Sequence, residues 1–320
     1  MTSLPQRPLG RSGITVAPLA FGGNVFGWSV KDAAATGRLL DAFVDGGFNL
    51  IDTADIYPAW VPGNKGGESE ALIGQWLKAS GKRNQVVIAT KVAKWAEHPG
   101  LSPDNIEAAV DDSLRRLGID TIDLYQAHED DESVPLEATL GAFARLIDKG
   151  KVRAIGASNY SAERLEQALR CSESQGLPRY ETLQPEYNLY DRAGYEDALE
   201  PLVQAEGLAV ISYYSLASGF LTGKYRHAAD AAKSSARGAQ VVKQYLNARG
   251  KAILDVLDGV ATAHAATPAQ VALAWLIARE SITAPIVSAS SVEQLQEIMQ
   301  AARLVLTPAQ VQALEAASAA

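Results

Sequence analysis

Short apolar runs alternate with longer amphipathic segments along the chain from about Ala17 to Met299. This alternation is typical of parallel strands that are joined by crossover helices. The strand-like runs are APLAFG from Ala17, FNLID from Phe48, VVIAT from Val86, IDLYQAH from Ile122, VRAIGAS from Val152, TLQPEY from Thr182, LAVISYY from Leu208 and TAPIVSAS from Thr283. Eight strands fit one closed barrel, so the pattern predicts an α/β protein with a (β/α)8 TIM-barrel fold.

The intervals between these runs carry helical signals. Several helix starts are marked by a side chain that can cap the first N–H groups, in some cases followed by a first-turn proline. These starts are Ser102 with Pro103, Ser161, Thr267 with Pro268, and Thr307 with Pro308. Trp76 and Trp275 lie inside helical patterns, so both indoles are predicted to lie in the core.

Two segments fall outside this alternation. The opening LGRSGITVAPLA predicts two short strands around Arg11-Ser12-Gly13, an N-terminal β-hairpin that plugs the bottom of the barrel. The segment from about 215 to 245 is rich in Gly, Ala, Ser and Lys and is longer than most α/β connections, which favours a functional or mobile loop. No repeat, low-complexity tract or linker interrupts residues 1–320, so we predict a single domain.

Composition narrows the class of partner. The chain is 47% hydrophobic and 21% charged, which is typical of a globular protein with a large core. A net charge of -8 disfavours an extended positively charged surface that would bind nucleic acid or an anionic membrane. We therefore expect a small-molecule partner, and we expect a monomer or a homo-oligomer.

Cysteine usage and the N-terminus bear on location. Cys171 is the single cysteine, so the chain has neither an internal disulfide nor a cysteine-rich zinc site, and no metal is expected. The opening MTSLPQRPLG lacks the apolar centre of a secretion signal, and no stretch approaches the ~18 apolar residues of a membrane span. We therefore expect a cytoplasmic protein.

Polar residues at the ends of the apolar runs are the candidates for chemistry, because (β/α)8 barrels carry their reactive groups at the C-terminal ends of strands. Asp52 ends the second run and Tyr57 follows it, Lys91 ends the third run, and His128 ends the fourth. A Lys91 ammonium near Tyr57 would lower the pKa of the phenol, and Asp52 would offset the charge of Lys91. His128 would hydrogen-bond a substrate carbonyl, so the set can polarise that carbonyl for hydride attack.

An ordinary structural role stays open for each of these four residues. Asp52 can cap a turn, Tyr57 can pack as a rim aromatic, and Lys91 can be a solvated charge at a strand end. His128 can cap the acidic turn that follows it or join the two carboxylates of that turn in a metal site, although one histidine makes a weak metal signature. Lys91 can also be the Schiff-base lysine of an aldolase-type barrel enzyme.

The order of motifs resembles a known family. FNLIDTADIYP, VIATKV, IDLYQAH, IGASNYS, LQPEYNLY and SYYSLASGFLTGKY are similar to successive motifs of the aldo-keto reductases, in the branch of Tas-like proteins and potassium-channel β subunits. The resemblance covers nearly the whole chain and implies a catalytic tetrad of Asp52, Tyr57, Lys91 and His128, with Tyr57 as proton donor. It implies reversible reduction of aldehydes or ketones by hydride from NADP(H), with NAD(H) as the alternative, bound without a Rossmann glycine motif. The alternative is a catalytically slow, nucleotide-sensing binding subunit like the potassium-channel β subunits.

The same resemblance implies the residues that hold the nucleotide. Ser158, Asn159 and Gln184 would hydrogen-bond the nicotinamide carboxamide, and Tyr214 would stack on its ring. A loop would clasp the pyrophosphate with Ser215, Leu216, Ser218, Gly219, Leu221 and Lys224. Gly22 and Gly23 are expected to let the backbone approach the cofactor closely, the alternative being a simple glycine turn.

The adenosine end departs from the family pattern. Relatives commonly end the eighth strand with a glycine and place an arginine on the adenosine 2′-phosphate, whereas this chain has Ser288 and Ser291 at those positions. Ile298 stands where an adenine-contacting asparagine is frequent. We expect Ser288, Ser290, Ser291 and Gln294 to surround the adenosine end, which leaves the choice between NADP(H) and NAD(H) open.

Three tryptophans follow strand ends or catalytic residues at the predicted rim: Trp28, Trp60 and Trp95. Indoles in such positions can wall an apolar pocket that accepts aromatic substrates. The alternative is that the three rings only pack on the rim.

Overall fold

A computed structural model describes residues 4–234 and 237–319. The strands in these ranges are β1 (Arg7–Pro8), β2 (Thr15–Val16), β3 (Ala20–Gly22), β4 (Leu50–Asp52), β5 (Val87–Val92), β6 (Lys94–Trp95), β7 (His98–Pro99), β8 (Ile122–Ala127), β9 (Val152–Ser158), β10 (Tyr180–Gln184), β11 (Ala209–Val210) and β12 (Ile286–Val287). The α-helices are α1 (Ala33–Asp45), α2 (Glu68–Ser80), α3 (Pro103–Leu117), α4 (Leu136–Asp148), α5 (Ala162–Gln175), α6 (Ala193–Glu196), α7 (Leu199–Glu206), α8 (Gly238–Tyr245), α9 (Ala248–Ala263), α10 (Pro268–Ala278), α11 (Val292–Met299) and α12 (Pro308–Ser318).

The barrel is built from eight parallel strands in the order β11, β10, β9, β8, β5, β4, β3 and β12. Backbone hydrogen bonds close the sheet between its two ends. The N–H of Thr283 donates to Val210 O at 2.8 Å, and the N–H of Ile286 donates to Ser212 O at 2.8 Å. The predicted (β/α)8 fold is confirmed, and closure places the carboxyl ends of all eight strands around one rim.

The N-terminal hairpin closes the opposite end of the barrel. Strands β1 and β2 pair antiparallel, with Arg7 opposite Val16. Leu9, Ile14 and Val16 are buried against small and aliphatic side chains inside the barrel, among them Ala20, Leu50, Val87, Ala89, Leu124, Ala154, Ala209, Ile211 and Ala284. Each such aliphatic side chain contributes about 1.5 to 3 kcal/mol by burial, so the predicted plug is a substantial part of the core.

The larger core cluster lies between the sheet and the helices and includes Trp76 and Trp275, both buried as predicted. The capping side chains also lie where the sequence placed them. Each accepts a hydrogen bond from the backbone N–H three residues later, as seen at Ser102, Ser161, Thr267 and Thr307.

In the segment 215–245, where the sequence predicts a long loop, the structure has helices instead. Short 3-10 helices occupy Ala217–Thr222 and Ala228–Lys233, and α8 follows. Helix α8 buries Val241 and Tyr245, which lie four residues apart on one helix face, and the Tyr245 ring stacks on Phe220 at 5.5 Å. Tertiary packing of these few apolar side chains thus gives the described parts of this segment a helical structure, although its composition resembles a loop.

In the part of the chain that the structure describes, we find no single helix that is both long and apolar enough to cross a membrane. Helices α9 and α10, bent by 94° at the break between them, satisfy that test only as a pair and only by length and composition.

Candidate active site

Three neighbouring strands carry the predicted tetrad to the same rim. Asp52 ends β4, Lys91 lies near the end of β5, and His128 directly follows β8. Lys91 Nζ donates to Asp52 Oδ2 at 2.6 Å and lies 5.0 Å from the centroid of the Tyr57 ring. The Tyr57 and His128 ring centroids are 5.8 Å apart. The structure therefore brings all four predicted residues together.

The Lys91 and Asp52 side chains form a buried ion pair, with 0% and 4% of their surfaces exposed. Lys91 Nζ also donates to Thr53 O at 2.8 Å. The second carboxylate oxygen, Asp52 Oδ1, accepts from Gln184 Nε2 at 2.9 Å and from Gln126 Nε2 at 3.2 Å. These hydrogen bonds replace the water that both charges lose, which is the condition for burying an ion pair.

The charge of Lys91 decides between two of its possible roles. Burial disfavours the ammonium, but Asp52 and Tyr57 together outweigh that effect, so the pKa of Lys91 lies above its ordinary value. A Schiff-base lysine needs a lowered pKa to be a free amine at neutral pH. The aldolase alternative therefore does not suit Lys91.

The pKa of Tyr57 differs from the sequence prediction. Burial raises the pKa of the phenol, and this effect exceeds the lowering by the Lys91 ammonium. The phenolate would lose its hydration in a surrounding that includes the Trp60 ring, whose centroid is 5.5 Å away. Tyr57 therefore keeps its proton at neutral pH, as a proton donor must.

His128 is held as a neutral imidazole. Burial lowers its pKa well below the ordinary value, and the Lys91 and Lys94 ammonium groups lower it further. Its backbone is fixed because His128 N donates to Val92 O at 2.8 Å and Asn159 Nδ2 donates to His128 O at 2.8 Å. A neutral imidazole carries one N–H donor, which can hydrogen-bond a carbonyl oxygen.

The tetrad lies at a cavity of about 1180 Å³ on the carboxyl side of the barrel. Most of the predicted site residues line it, including Asp52, Tyr57, His128, Gly22, Ser158, Asn159, Gln184, Tyr214, Ser215, Leu216, Ser218, Gly219, Lys224, Ser288, Ser290 and Gln294. The prediction missed further lining residues, such as Asn24, Lys94, Glu186, Tyr213, Arg237 and Glu297. Position just after a strand was an available signal for Asn24 and Lys94.

Only two of the three predicted tryptophans line the cavity. The Trp28 and Trp60 ring centroids are 6.1 Å apart, edge to face, and the cavity reaches both rings. The prediction that Trp95 lines the substrate pocket is wrong. Its indole N–H donates to Lys65 O at 2.8 Å, and its ring packs 5.1 Å from the Arg116 guanidinium. These two contacts hold the Trp95 indole outside the cavity lining.

The two glycines after the first barrel strand have a packing role. A side chain at Gly22 would place its Cβ 2.6 Å from Ser288 Oγ and 2.8 Å from Ile286 Cγ2. At Gly23 the Cβ would lie 2.9 Å from Ser69 Oγ, and Gly23 is not among the cavity-lining residues. Contacts within the protein thus require both glycines, independently of any ligand.

Two other predicted cofactor residues lie beneath or beside the cavity. Leu221 is fully buried in the core. Ser291 caps α11, since its Oγ accepts from Gln294 N at 3.3 Å, and it does not line the cavity. Its neighbour Ser290 does line the cavity and donates through Oγ to Gln294 Oε1 at 3.0 Å.

The segment 215–245 makes a left-handed turn at the cavity. Ala217, Ser218 and Gly219 have φ values of 48°, 55° and 90°. The N–H groups of Ala217 and Gly219 donate to Tyr214 O at 2.7 Å and to Leu216 O at 2.9 Å, and these bonds hold the turn together. Lys224 adds a cation, because a Cβ at Gly219 would lie 3.3 Å from Lys224 Nζ.

An aromatic platform lies in the same cavity. The Tyr214 side chain is 51% exposed and its backbone is left-handed, with φ of 52°. Asn159 nearby accepts from the Tyr213 hydroxyl at 2.8 Å, and Ser158 Oγ donates to Gln184 O at 2.9 Å. The site therefore fits a ligand that joins a flat, hydrogen-bonding ring to phosphate groups.

A second group of buried polar residues lies behind the tetrad. Asp55 is buried, its N–H donates to Lys91 O at 3.2 Å, and neither carboxyl oxygen has a hydrogen-bond partner among the described residues. Glu70 accepts from Thr90 Oγ1 at 2.6 Å and from Arg116 Nε at 2.7 Å. Burial and the nearby Glu70 raise the pKa of Asp55 to about 8.

The metal alternative for His128 is not supported by its surroundings. Glu129 is 3.4 Å from Lys94 Nζ, and Asp130 accepts from Arg164 Nε at 2.8 Å. Across the described ranges, no group of three or more His, Cys, Asp or Glu side chains is arranged to hold a metal ion.

A model of the aldo/keto reductase family matches residues 18–319. A Schizosaccharomyces pombe protein named as a candidate voltage-gated potassium channel subunit beta is 34% identical, over 96% of this chain and 91% of the relative. The uncharacterized oxidoreductase YrpG of Bacillus subtilis is 33% identical, over 93% and 91%. Protein tas of Escherichia coli is 31% identical, over 92% of each chain.

The buried ion pair predicts a large stability effect for Lys91→Met. The change leaves the Asp52 carboxylate buried without its cation, so the free energy of unfolding should fall by about 3 to 5 kcal/mol in urea denaturation. Lys94→Met is the matched control, because the Lys94 and Glu129 side chains are partly exposed and such a pair contributes at most about 1 kcal/mol. Adding Asp52→Asn to Lys91→Met should recover most of the loss. Equal losses for the two lysine variants would contradict the description of this pair.

The raised pKa of Asp55 predicts a pH-dependent gain for Asp55→Asn. Between the unfolded pKa of about 3.9 and the folded pKa of about 8, the unfolded chain releases a proton that the folded protein keeps. Stability from Asp55 is therefore full below about pH 4 and is lost as the pH rises toward 8. Asp55→Asn should exceed the wild type by more than about 1 kcal/mol at pH 8 and by much less at pH 4.5. The exposed Asp255→Asn is the control, and a pH-independent difference for Asp55→Asn would refute this assignment.

Proposed function

Since the chain belongs to the aldo/keto reductase family, we propose that it reduces aldehydes or ketones to alcohols, reversibly, with hydride from NADP(H) and a proton from Tyr57. A general oxidoreductase role follows from the family and from a relative named as an oxidoreductase. The observation that carries the finer proposal is the meeting of a protonated phenol, an ammonium and a neutral imidazole at one cavity. Such a set can protonate and orient a carbonyl oxygen.

Each member of the tetrad has a separate task in this reaction. When bound and reduced, the nicotinamide supplies the hydride that the carbonyl carbon accepts. Tyr57 gives its proton to the carbonyl oxygen, and Lys91 stabilises the phenolate that remains. The His128 N–H would hold the same oxygen by a hydrogen bond, and Asp52 keeps Lys91 charged and in place.

The nucleotide would lie along the cavity. Tyr214 offers its ring for stacking, while Ser158, Asn159 and Gln184 lie near the tetrad end, suited to the carboxamide. Ser218 and Lys224 line the cavity and suit the pyrophosphate, and Ser290 and Gln294 suit the adenosine. NADP(H) is our proposed cofactor, with NAD(H) as a possible substitute.

Several coarser expectations go with this proposal. The partner would be a small carbonyl or alcohol, and residues 1–320 would act as one catalytic domain, as a monomer or homo-oligomer. The cytoplasm stays the expected compartment, because Cys171 is the chain's single cysteine.

A second candidate function is that of a catalytically slow binding subunit that senses nucleotide. It is favoured by the similarity to the Schizosaccharomyces pombe protein, whose name is that of a channel subunit. Repeated turnover of NADPH with an aromatic aldehyde separates the two functions. A single turnover followed by a stable complex would favour the binding subunit.

Tyr57→Phe should remove more than nine tenths of carbonyl reduction while nucleotide binding changes little, because the variant lacks only the proton donor. Turnover is followed at the nicotinamide absorbance and binding by fluorescence titration. Tyr160→Phe is the matched control, since the Tyr160 hydroxyl lies in the core 3.1 Å from that of Tyr180. If Tyr57→Phe keeps more than about a tenth of the rate, a loss of barely 1.4 kcal/mol, Tyr57 is not the acid.

Cofactor choice generates the next prediction. No arginine stands at position 291, and the Glu297 carboxylate lines the cavity, so the wild type should favour NADPH over NADH by less than about a hundredfold in kcat/KM. Ser291→Arg should raise that ratio about tenfold or more, because a guanidinium can bind the 2′-phosphate. Ser291→Ala is the control, since it loses the same helix cap without adding charge. A wild-type ratio above a thousandfold, or equal ratios in the two variants, would place the phosphate site elsewhere, such as at Lys224 or Arg226.

A further inference from the structure

Lys94 lies at the tetrad end of the cavity and has no task in the proposed reaction. It begins β6, three residues after Lys91, and its side chain lines the cavity. The ammonium is close enough to His128 to help lower the pKa of the imidazole. A cation therefore lies beside the group that would hold the substrate carbonyl.

The partner of Lys94, Glu129, does not belong to the cavity lining. Glu129 Oε2 is 3.4 Å from Lys94 Nζ, longer than a strong charge-assisted hydrogen bond. The Lys94 side chain is 33% exposed and the Glu129 side chain 48%, and Glu129 does not line the cavity. An ion pair with this geometry contributes at most about 1 kcal/mol, so a ligand anion can replace Glu129 at little cost.

Lys94 differs from the other cations at the site. Lys91 is fully engaged by Asp52 and by Thr53 O, so it has no free charge for a ligand. Lys224 also lines the cavity and lies beside Gly219 at the proposed pyrophosphate site, while the Arg237 guanidinium packs 4.7 Å from the centroid of the Trp28 ring. Among the described lining cations, Lys94 is thus the one whose partly exposed ammonium lies near the His128 imidazole.

Another part of the cavity lining is aromatic. The rings of Tyr57, Trp60 and Trp28 follow one another edge to face, at 5.5 and 6.1 Å between centroids. A flat aromatic ring packs well against such edges and faces. A substrate whose carbonyl reaches Tyr57 and His128 would have its ring near these walls and its substituents within reach of Lys94.

We propose, on the basis of the reductase function proposed above, that Lys94 selects aromatic aldehydes or ketones that carry a carboxylate or a similar anionic group. Lys94 exchanges Glu129 for the substrate anion, and the aromatic side chains hold the ring. The exchange costs little because the Lys94 and Glu129 side chains are both partly exposed and their charged atoms are 3.4 Å apart. Glu129 weakens this selectivity, since its carboxylate competes for the same ammonium.

The experiment compares 4-carboxybenzaldehyde with its neutral methyl ester, methyl 4-formylbenzoate, at saturating NADPH and low salt. The measured quantity is the ratio of their kcat/KM values, acid over ester. The wild-type ratio should be about ten, the size expected for a charge-assisted contact, and should fall as the ionic strength rises. Lys94→Met should bring the ratio near or below one, Lys94→Arg should keep most of it, and Glu129→Gln should raise it.

Each outcome has a definite meaning. A wild-type ratio of one or less, or a ratio that Lys94→Met leaves unchanged, overturns the selectivity while the reductase function stands. Failure to reduce either aldehyde with NADPH or NADH overturns the reductase function and this inference with it. If Lys94→Met does not fold, two other measurements test the selectivity, because both change the electrostatic effect of the Lys94 ammonium. A wild-type ratio that does not fall with ionic strength, together with a ratio that Glu129→Gln does not raise, overturns the proposal.

Discussion

The buried ion pair between Lys91 and Asp52 is the constraint on which the rest of the site depends. It joins β4 to β5, and the amides of Gln126 and Gln184 bring β8 and β10 into the same network. Two charges can stay in the core of the barrel only if every hydrogen bond to them is made. The closed sheet and the hairpin plug provide the rigid surroundings that keep these bonds in place.

The pair also sets the protonation of its neighbours. The Lys91 ammonium favours the phenolate of Tyr57 and disfavours the imidazolium of His128, while burial favours the neutral form of both groups. At neutral pH the site therefore holds a charged lysine, a neutral phenol and a neutral imidazole. This combination gives one proton to transfer and one hydrogen bond to the same oxygen, which is what carbonyl reduction requires.

Much of this architecture is readable from the sequence. Eight apolar runs, the capping residues and the polar strand ends predict the barrel and the convergence of the tetrad, because carboxyl ends of parallel strands share one rim. The direction of a side chain beyond a strand end is not readable in this way. Trp95 turns away because of Lys65 O and Arg116, and α8 forms because Tyr245 packs on Phe220. The direction of the Tyr57 pKa shift is likewise not readable from the sequence. It depends on whether burial of the phenol or the charge of Lys91 has the larger effect, and only the packed structure shows this.

The most direct test of the central claim is to follow the hydride itself. The protein is given benzaldehyde and a reduced nicotinamide nucleotide that carries deuterium on either face of ring carbon 4. The account predicts that, for one face, the benzyl alcohol gains deuterium on its carbon, one per nucleotide oxidised, with a lower rate than for the unlabelled nucleotide. Alcohol that contains no deuterium from either labelled nucleotide, or nucleotide oxidation without alcohol, would contradict the account.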